Sequence, residues 1–259
     1  MPTSSDEILE YINLAAELIR QAKHGVALTG AGISTSSGIP DFRSAGSGLW
    51  TRFLPMEVAS LEAFRYHPQR FFEWLRPLAS HMLNAQPNSA HKSLARLESE
   101  GYIKTVITQN IDTLHQRAGS SRVLEVHGTF GTLSCLGCYQ QTEITQEILT
   151  AYVEKGIIPR CQNCGAILKP DVILFGEQLP AKTWKEARKA VGSCDLLFVI
   201  GSSLMVTPIA DLPLKAMRKS ASLIILNKTD TYLDGQADVV IHRDIAEILP
   251  KITQRVLYA

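Results

Sequence analysis

The sequence predicts an α/β fold: a parallel sheet covered by helices on both faces, interrupted by a helical insertion and by a stretch that holds four cysteines. Three observations predict it. Apolar runs that do not alternate with polar residues recur along the chain, separated by helix-like stretches, as strands covered on both faces would be. Most of these runs end in small or hydrogen-bonding residues, where an open α/β sheet places its ligand crevice. Two stretches, 44–90 and 131–169, interrupt the alternation.

In chain order, Ser4 and Glu7 form a capping box, and Ile8, Ile12, Ala15, Ile19 and Ala22 follow at helical spacing. Gly25 stands where a helix C-cap glycine would. Strands are expected over 26–29, 103–108, 195–200, 222–226 and 237–241, and helices over 182–191 and 209–219. The first interruption carries Trp50, Phe53, Phe64, Phe71, Phe72 and Trp74, and Phe71, Leu75, Leu78 and Met82 share one helical face. Outside these two interruptions the alternating pattern covers 1–43, 91–130 and 170–259.

Composition excludes several classes. The chain has 259 residues, with 26 Lys+Arg against 25 Asp+Glu, so no direct nucleic-acid binding by broad phosphate neutralisation is expected. Hydrophobic residues at 45% and charged residues at 20% are ordinary for a soluble globular protein. The apolar runs are far shorter than the roughly 20 residues of a membrane span, and the first residues, MPTSSDE, do not resemble a secretory signal. A cytoplasmic protein without a membrane partner is expected. Five cysteines in a long chain do not suggest a disulfide scaffold.

Three groups of residues carry chemistry. Gly30-Ala31-Gly32-Ile33-Ser34 directly follows the first strand. Such a turn lets main-chain amides approach a pyrophosphate. It also reads as a plain tight turn, because Thr35 stands where a dinucleotide fingerprint has its last glycine. The second group is Cys135-Leu136-Gly137-Cys138 with Cys161-Gln162-Asn163-Cys164, two knuckles that supply four thiolates to one tetrahedral zinc. Four thiolates leave no open position, so the metal is structural. Cys194, just before a strand, reads as a small buried residue. The third group is Gly38-Ile39-Pro40-Asp41-Phe42-Arg43, Thr108-Gln109-Asn110-Ile111-Asp112 and Val126-His127-Gly128. Each has a bland reading alone: Asp41 and Arg43 as a solvated pair, Asn110 and Asp112 as helix caps, His127 as a core histidine.

Together these segments, with Phe175-Gly176-Glu177 and Gly201-Ser202-Ser203-Leu204, resemble the signature set of the sirtuins, NAD-dependent protein lysine deacylases. They stand in that family's order, the likeness runs from about residue 5 to 250, and the chain is similar to the compact prokaryotic type. The resemblance implies a Rossmann-like parallel sheet domain of 1–43, 91–130 and 170–259, plus a smaller domain formed by the helical insertion 44–90 and the four-cysteine zinc module 131–169. It implies NAD as co-substrate, one structural zinc ion, and acyl-lysine peptide segments of proteins as partners. It implies transfer of the acyl group from lysine to ADP-ribose, releasing nicotinamide and O-acyl-ADP-ribose.

It also implies roles for residues. His127 is the base acting on a ribose hydroxyl, which suits a side chain that titrates near neutrality. Asn110 orients the ribose and a water, and Ile111 and Asp112 form the nicotinamide pocket. Gly30, Ala31, Gly32, Ile33 and Asp41 belong to the cofactor site, where Phe42 shields the reacting carbon and Arg43 meets the phosphates. Gln109 bonds the ribose region; Gly201, Ser202 and Ser203 hold the phosphate and adenosine portion; Asn227 takes the adenosine ribose. The peptide lies between Gly176-Glu177 and Ser203-Leu204-Met205-Val206, with Val172 and Phe175 lining the acyl-lysine tunnel. Sirtuins that favour succinyl or malonyl lysine carry Tyr-x-x-Arg on the insertion helix. Here Leu75 and Leu78 align there, implying neutral acyl groups, with Arg76 as the neighbouring charge whose register matters. Mono-ADP-ribosyl transfer or NAD hydrolysis would use the same site. A non-catalytic NAD sensor would lack His127, Asn110 or Asp112, and all are present.

Overall fold

The structure, a computed structural model, describes residues 5–41 and 53–258. Ser4, Phe42, Arg43 and Trp50, singled out above, lie outside the described residues. Strands β1 (Gly25–Thr29), β2 (Ile103–Thr108) and β3 (Val123–Glu125) begin the main sheet; β4 (Gly128–Cys135), β5 (Gln141–Glu143) and β6 (Leu168–Val172) form a second; β7 (Leu196–Ile200), β8 (Ser222–Leu226) and β9 (Val239–Ile241) complete the first. The main sheet is ordered β3-β2-β1-β7-β8-β9 and every pair is parallel. Its order reverses between β1 and β7, so the crevice of this open sheet opens there.

The helices are α1 (Ser5–Gln21), α2 (Pro55–Val58), α3 (Leu61–Tyr66), α4 (Pro68–Asn84), α5 (Ser89–Ser99), α6 (Leu114–Arg117), α7 (Gln146–Lys155), α8 (Ala181–Ser193), α9 (Leu212–Met217) and α10 (Ile245–Tyr258). Among the described residues no helix is long and apolar enough to cross a membrane. Helices α1, α5 and α10 bury one face of the main sheet, with Ile12, Ile19, Leu94 and Ile252 in the contact. Helices α8 and α9 cover the other through Ala187, Val191, Leu212 and Ala216. The two-sided cover explains why the central strands read as unbroken apolar runs.

The structure departs from the sequence reading in four places. Gly25 does not cap α1; it is the first residue of β1, where an added Cβ would lie 2.4 Å from the Tyr102 carbonyl oxygen. The close approach of β2 demands the glycine, and the chain between helix and strand is held instead by Asp195, whose carboxylate accepts the amides of Lys23 and His24. The helix expected over 209–219 is a 3-10 turn (Ile209–Asp211) followed by α9. Strand β3 was not foreseen, because three edge residues make no run. Nor was the antiparallel sheet β5-β4-β6, whose strands β4 and β6 run across the expected limits at 130 and 170.

Helix α4 buries Phe71, Leu75, Leu78 and Met82, the face that its periodicity marked. It packs on α7: the Phe72 and Tyr152 rings meet edge to face at 5.5 Å, and the Tyr152 hydroxyl donates to the Phe72 carbonyl. The insertion and the cysteine-bearing stretch therefore share one core. At its far end the four thiols converge. Cys135 and Cys164 sulfurs lie 3.4 Å apart, Cys138 and Cys161 sulfurs 3.5 Å, and all four fall within 4.8 Å. Tetrahedral Zn–S bonds of about 2.3 Å require sulfurs about 3.8 Å apart, so this donor set fits one zinc ion and offers no carboxylate or open place for water.

Beneath the strand ends lie two buried histidines, His91 on α5 and His115 on α6, with ring centroids 5.0 Å apart. Burial lowers the pKa of His91 to about 4 and that of His115 to about 3, the latter also through its neighbour. Both are neutral in the folded protein.

Two outcomes follow. Cys161→Ser should lower the melting temperature sharply, since a structural zinc contributes several kcal/mol to folding, on the order of 10 in small zinc domains; an unchanged melt with full activity would remove the structural role. Unfolded histidines take up protons below about pH 6.5, whereas these resist until about pH 4 and 3. The unfolded state then binds more protons, so stability should fall as pH drops from 6.5 toward 4. His115→Gln should flatten the slope of unfolding free energy against pH in that window; an unaltered slope would contradict the reading.

Candidate active site

A cavity of about 550 Å³ opens at the carboxyl ends of β1, β2, β7 and β8, a volume usual for small-molecule sites. Its sheet side is made by the loops that follow those strands. The turn after β1 and the loop after β7 interlock: the Gly32 amide donates to the Gly201 carbonyl at 2.9 Å. Gly201 has φ +64°, and a Cβ there would lie 2.4 Å from the Ile33 nitrogen. A Cβ on Gly32 would meet the Gly201 Cα at 2.8 Å. The glycines are thus needed so that two backbones touch at the point where the sheet order reverses.

A hydrogen-bonded network fixes the segment after β2. The Asn110 amide nitrogen donates to the Gly30 carbonyl and to Ser34 Oγ, both at 3.1 Å. The Ser34 hydroxyl donates to Asp112 Oδ2 at 2.6 Å, and the Leu114 amide to Asp112 Oδ1 at 2.9 Å. Asp112 therefore accepts the first amide of α6 from the position before its N-cap, Thr113, while also lining the cavity. Burial raises its pKa above the usual carboxylate range, opposed by those two hydrogen bonds. The Asn110 backbone amide rests on Thr108 Oγ1, which also accepts from Thr29 Oγ1. Thr29 Oγ1 in turn lies 2.9 Å from His115 Nε2.

His127 lines the same cavity. Its Nδ1 lies 3.1 Å from the Gln109 carbonyl oxygen. A carbonyl only accepts, so Nδ1 carries the proton, and in the neutral ring Nε2 is the basic nitrogen. Gln109 Nε2 donates to Ser202 Oγ at 2.8 Å, tying the loops after β2 and β7.

Most other expected site residues line the cavity as well: Gly30, Ala31, Gly32 and Asp41, Ile111, Gly201 to Ser203, Val206, Asn227, and on the opposite wall Val172, Phe175, Gly176 and Glu177. Three do not. Ile33 is buried in the main core, Leu204 is buried on the other face of the sheet, and Met205 is exposed outside the lining. The opposite wall is pinned by backbone bonds between Phe175 and both Ala59 and Leu61. It is also pinned by Glu177, which accepts the Leu174 amide and pairs with buried Lys169 at 3.0 Å.

Sequence reasoning missed several lining residues. Ser34 stood inside the quoted turn, but only the fold reveals that it joins Asn110 to Asp112. Lys228 and Thr229 after β8 and Arg243 and Asp244 after β9 obey the same strand-end rule and could have been named by it. Trp74, Leu75, Leu78 and Met82 of α4 form the apolar end. Arg76, between them in sequence, turns away and donates to the carbonyls of Val153 (2.7 Å) and Glu154 (2.9 Å) at the end of α7.

A model of the Sir2 family matches residues 30–208. An Archaeoglobus fulgidus protein named NAD-dependent protein deacylase 2 is 46% identical over 249 residues, 95% of this chain and 96% of its own. A structure from work on the mechanism and regulation of Sir2 enzymes superposes with TM-score 0.87 at 46% identity, covering 95% of this chain and 98% of that one. That of Sir2Af2 bound to a myristoylated histone peptide gives TM-score 0.82 at 41% identity, covering 96% and 97%. Matched from the glycine turn past the loop after β7, and similar to these relatives along almost its whole length, the chain belongs to the Sir2 family.

Proposed function

We propose that this chain is an NAD-dependent protein lysine deacylase that moves a neutral acyl group from lysine to ADP-ribose and releases nicotinamide. The observation that carries the reading is one cavity with two chemically different ends. Strand-end loops, Asn110, Asp112 and His127 make a polar end, and α4 makes an apolar one. NAD, when bound, supplies an electrophilic ribose carbon. The donor set fits it: main-chain turns and serines for a pyrophosphate, a buried carboxylate for a carboxamide, and Lys228 and Arg243 beside Asn227.

The chain's own groups then do the following. The glycine turn and Gly201 to Ser203 hold the phosphates, and Asn227 holds the adenosine ribose. Asp112 and Ile111 hold the carboxamide, with Asn110 orienting the adjoining ribose. His127 Nε2 would take a proton from a ribose hydroxyl so that its oxygen attacks the acyl carbon; the bond from that carbon to the lysine nitrogen breaks, the amine leaves with a proton, and one water is consumed to complete O-acyl-ADP-ribose. Gly176-Glu177 and the Ser203 to Val206 segment flank an extended peptide, and Val172 and Phe175 line the passage for acyl-lysine. Phe42 and Arg43, outside the described residues, take the shielding and phosphate roles.

Trp74, Leu75, Leu78 and Met82 receive the acyl chain. With Arg76 committed to α7, a dicarboxylic chain would bury its carboxylate there without a charged partner. The relative that binds a myristoylated peptide supports a site for long neutral chains.

The test is to incubate the protein with NAD and peptides bearing acetyl, myristoyl or succinyl lysine and to identify every product by mass. Acylated ADP-ribose and nicotinamide are expected. ADP-ribose alone, or an ADP-ribosylated protein, would replace the reading by NAD hydrolysis or ADP-ribosyl transfer. Succinyl-lysine should be processed on the order of tenfold or more less efficiently, the scale of an unpaired buried charge; equal efficiency with acetyl-lysine would overturn the acyl preference. His127→Ala should lower turnover about 10²- to 10⁴-fold, as loss of a general base does, while ADP-ribose still binds. Retained turnover would remove the base assignment.

A further inference from the structure

We propose that His242 is a positioning residue for the dinucleotide. Through both ring nitrogens it ties the loop after β8 to the segment after β9, and so holds the side chains that face the cofactor in place. The proposal rests on the reading that Asn227 holds the adenosine ribose.

His242 immediately follows β9, with its side chain only 11% exposed. Its Nδ1 lies 2.7 Å from the Asn227 carbonyl oxygen. Its Nε2 lies 2.9 Å from Asp234 Oδ2 and 3.4 Å from Asp230 Oδ1. Every partner is an acceptor. A neutral ring has one N–H and would turn a lone pair toward one of them, whereas the cation satisfies both sides.

The partners are themselves fixed. Asp234 accepts from the Thr231 amide at 3.1 Å and the Thr231 hydroxyl at 2.6 Å. The Asn227 side chain donates to the Thr229 carbonyl at 2.7 Å. The ring therefore holds the stretch that brings Asn227, Lys228 and Thr229 to the cavity, and the residues after it, Arg243 and Asp244, line the same end. The charged groups around it are Asp230 and Asp234 on the loop, Lys228 beside Asn227, and Arg243, which donates to the His242 carbonyl at 2.9 Å, with Asp244 next in the chain.

The experiment is calorimetric titration of ADP-ribose, which needs no turnover. His242→Gln, which cannot bond both sides at once, should bind on the order of tenfold more weakly than the unaltered protein, the scale of a lost hydrogen bond to a charged group. His242→Arg, which keeps donors toward both sides, should bind nearly as tightly as the unaltered protein. NAD KM should follow these affinities while kcat at saturating NAD stays near its original value. His242→Arg binding as weakly as His242→Gln would overturn the proposal. So would His242→Gln binding as tightly as the unaltered protein while Asn227→Ala binds weakly. If Asn227→Ala also binds as tightly, the assignment of Asn227 to the adenosine ribose falls, and the proposal with it.

Discussion

The site depends on two backbones that touch. At the reversal of strand order, the turn after β1 and the loop after β7 approach so closely that neither Gly32 nor Gly201 could carry a side chain. That contact holds the Gly30 carbonyl where the Asn110 amide reaches it, and Ser34 where it can bridge Asn110 and Asp112. Side chains from the loop after β2 are thereby aimed at a cleft whose other wall comes from a different part of the chain. A substitution at either glycine would displace the network as well as the turn.

The opposite wall has its own logic. Segment Leu174 to Glu177 hangs from β6, tied at one end to the insertion through Ala59 and Leu61 and at the other to Lys169 through Glu177. Helix α4 is braced from behind by α7, where Tyr152 meets the Phe72 carbonyl and Arg76 meets the last carbonyls of α7. The same bracing takes the one cation on that stretch of α4 away from the cavity. The four-thiol cluster stands outside the cavity lining.

Much of this was legible in the sequence, because parallel strands buried on both faces leave unbroken apolar runs and end in the residues that face the ligand. The runs ending at Thr29, Thr108, Ile200 and Leu226 marked the sheet side of the cavity. The spacing of Phe71, Leu75, Leu78 and Met82 marked the face of α4 that is buried. What was not legible depends on contacts distant in sequence. Gly25 looks like a helix cap until Tyr102 is seen against it. Strand β3 is too short to have a pattern, and Ser34 acquires a role only from partners more than 70 residues away. Leu204 and Met205 sit between residues that line the cavity, yet one side chain turns into the core and the other to solvent.

The most direct measurement of the central claim is a crystal structure with ADP-ribose and an acyl-lysine peptide bound together. The account predicts the His127 imidazole within hydrogen-bond reach of a ribose hydroxyl, Nδ1 still on the Gln109 carbonyl, and the acyl chain against Leu75 and Leu78. A dinucleotide bound with its ribose away from His127, or an acyl chain outside the α4 pocket, would contradict it.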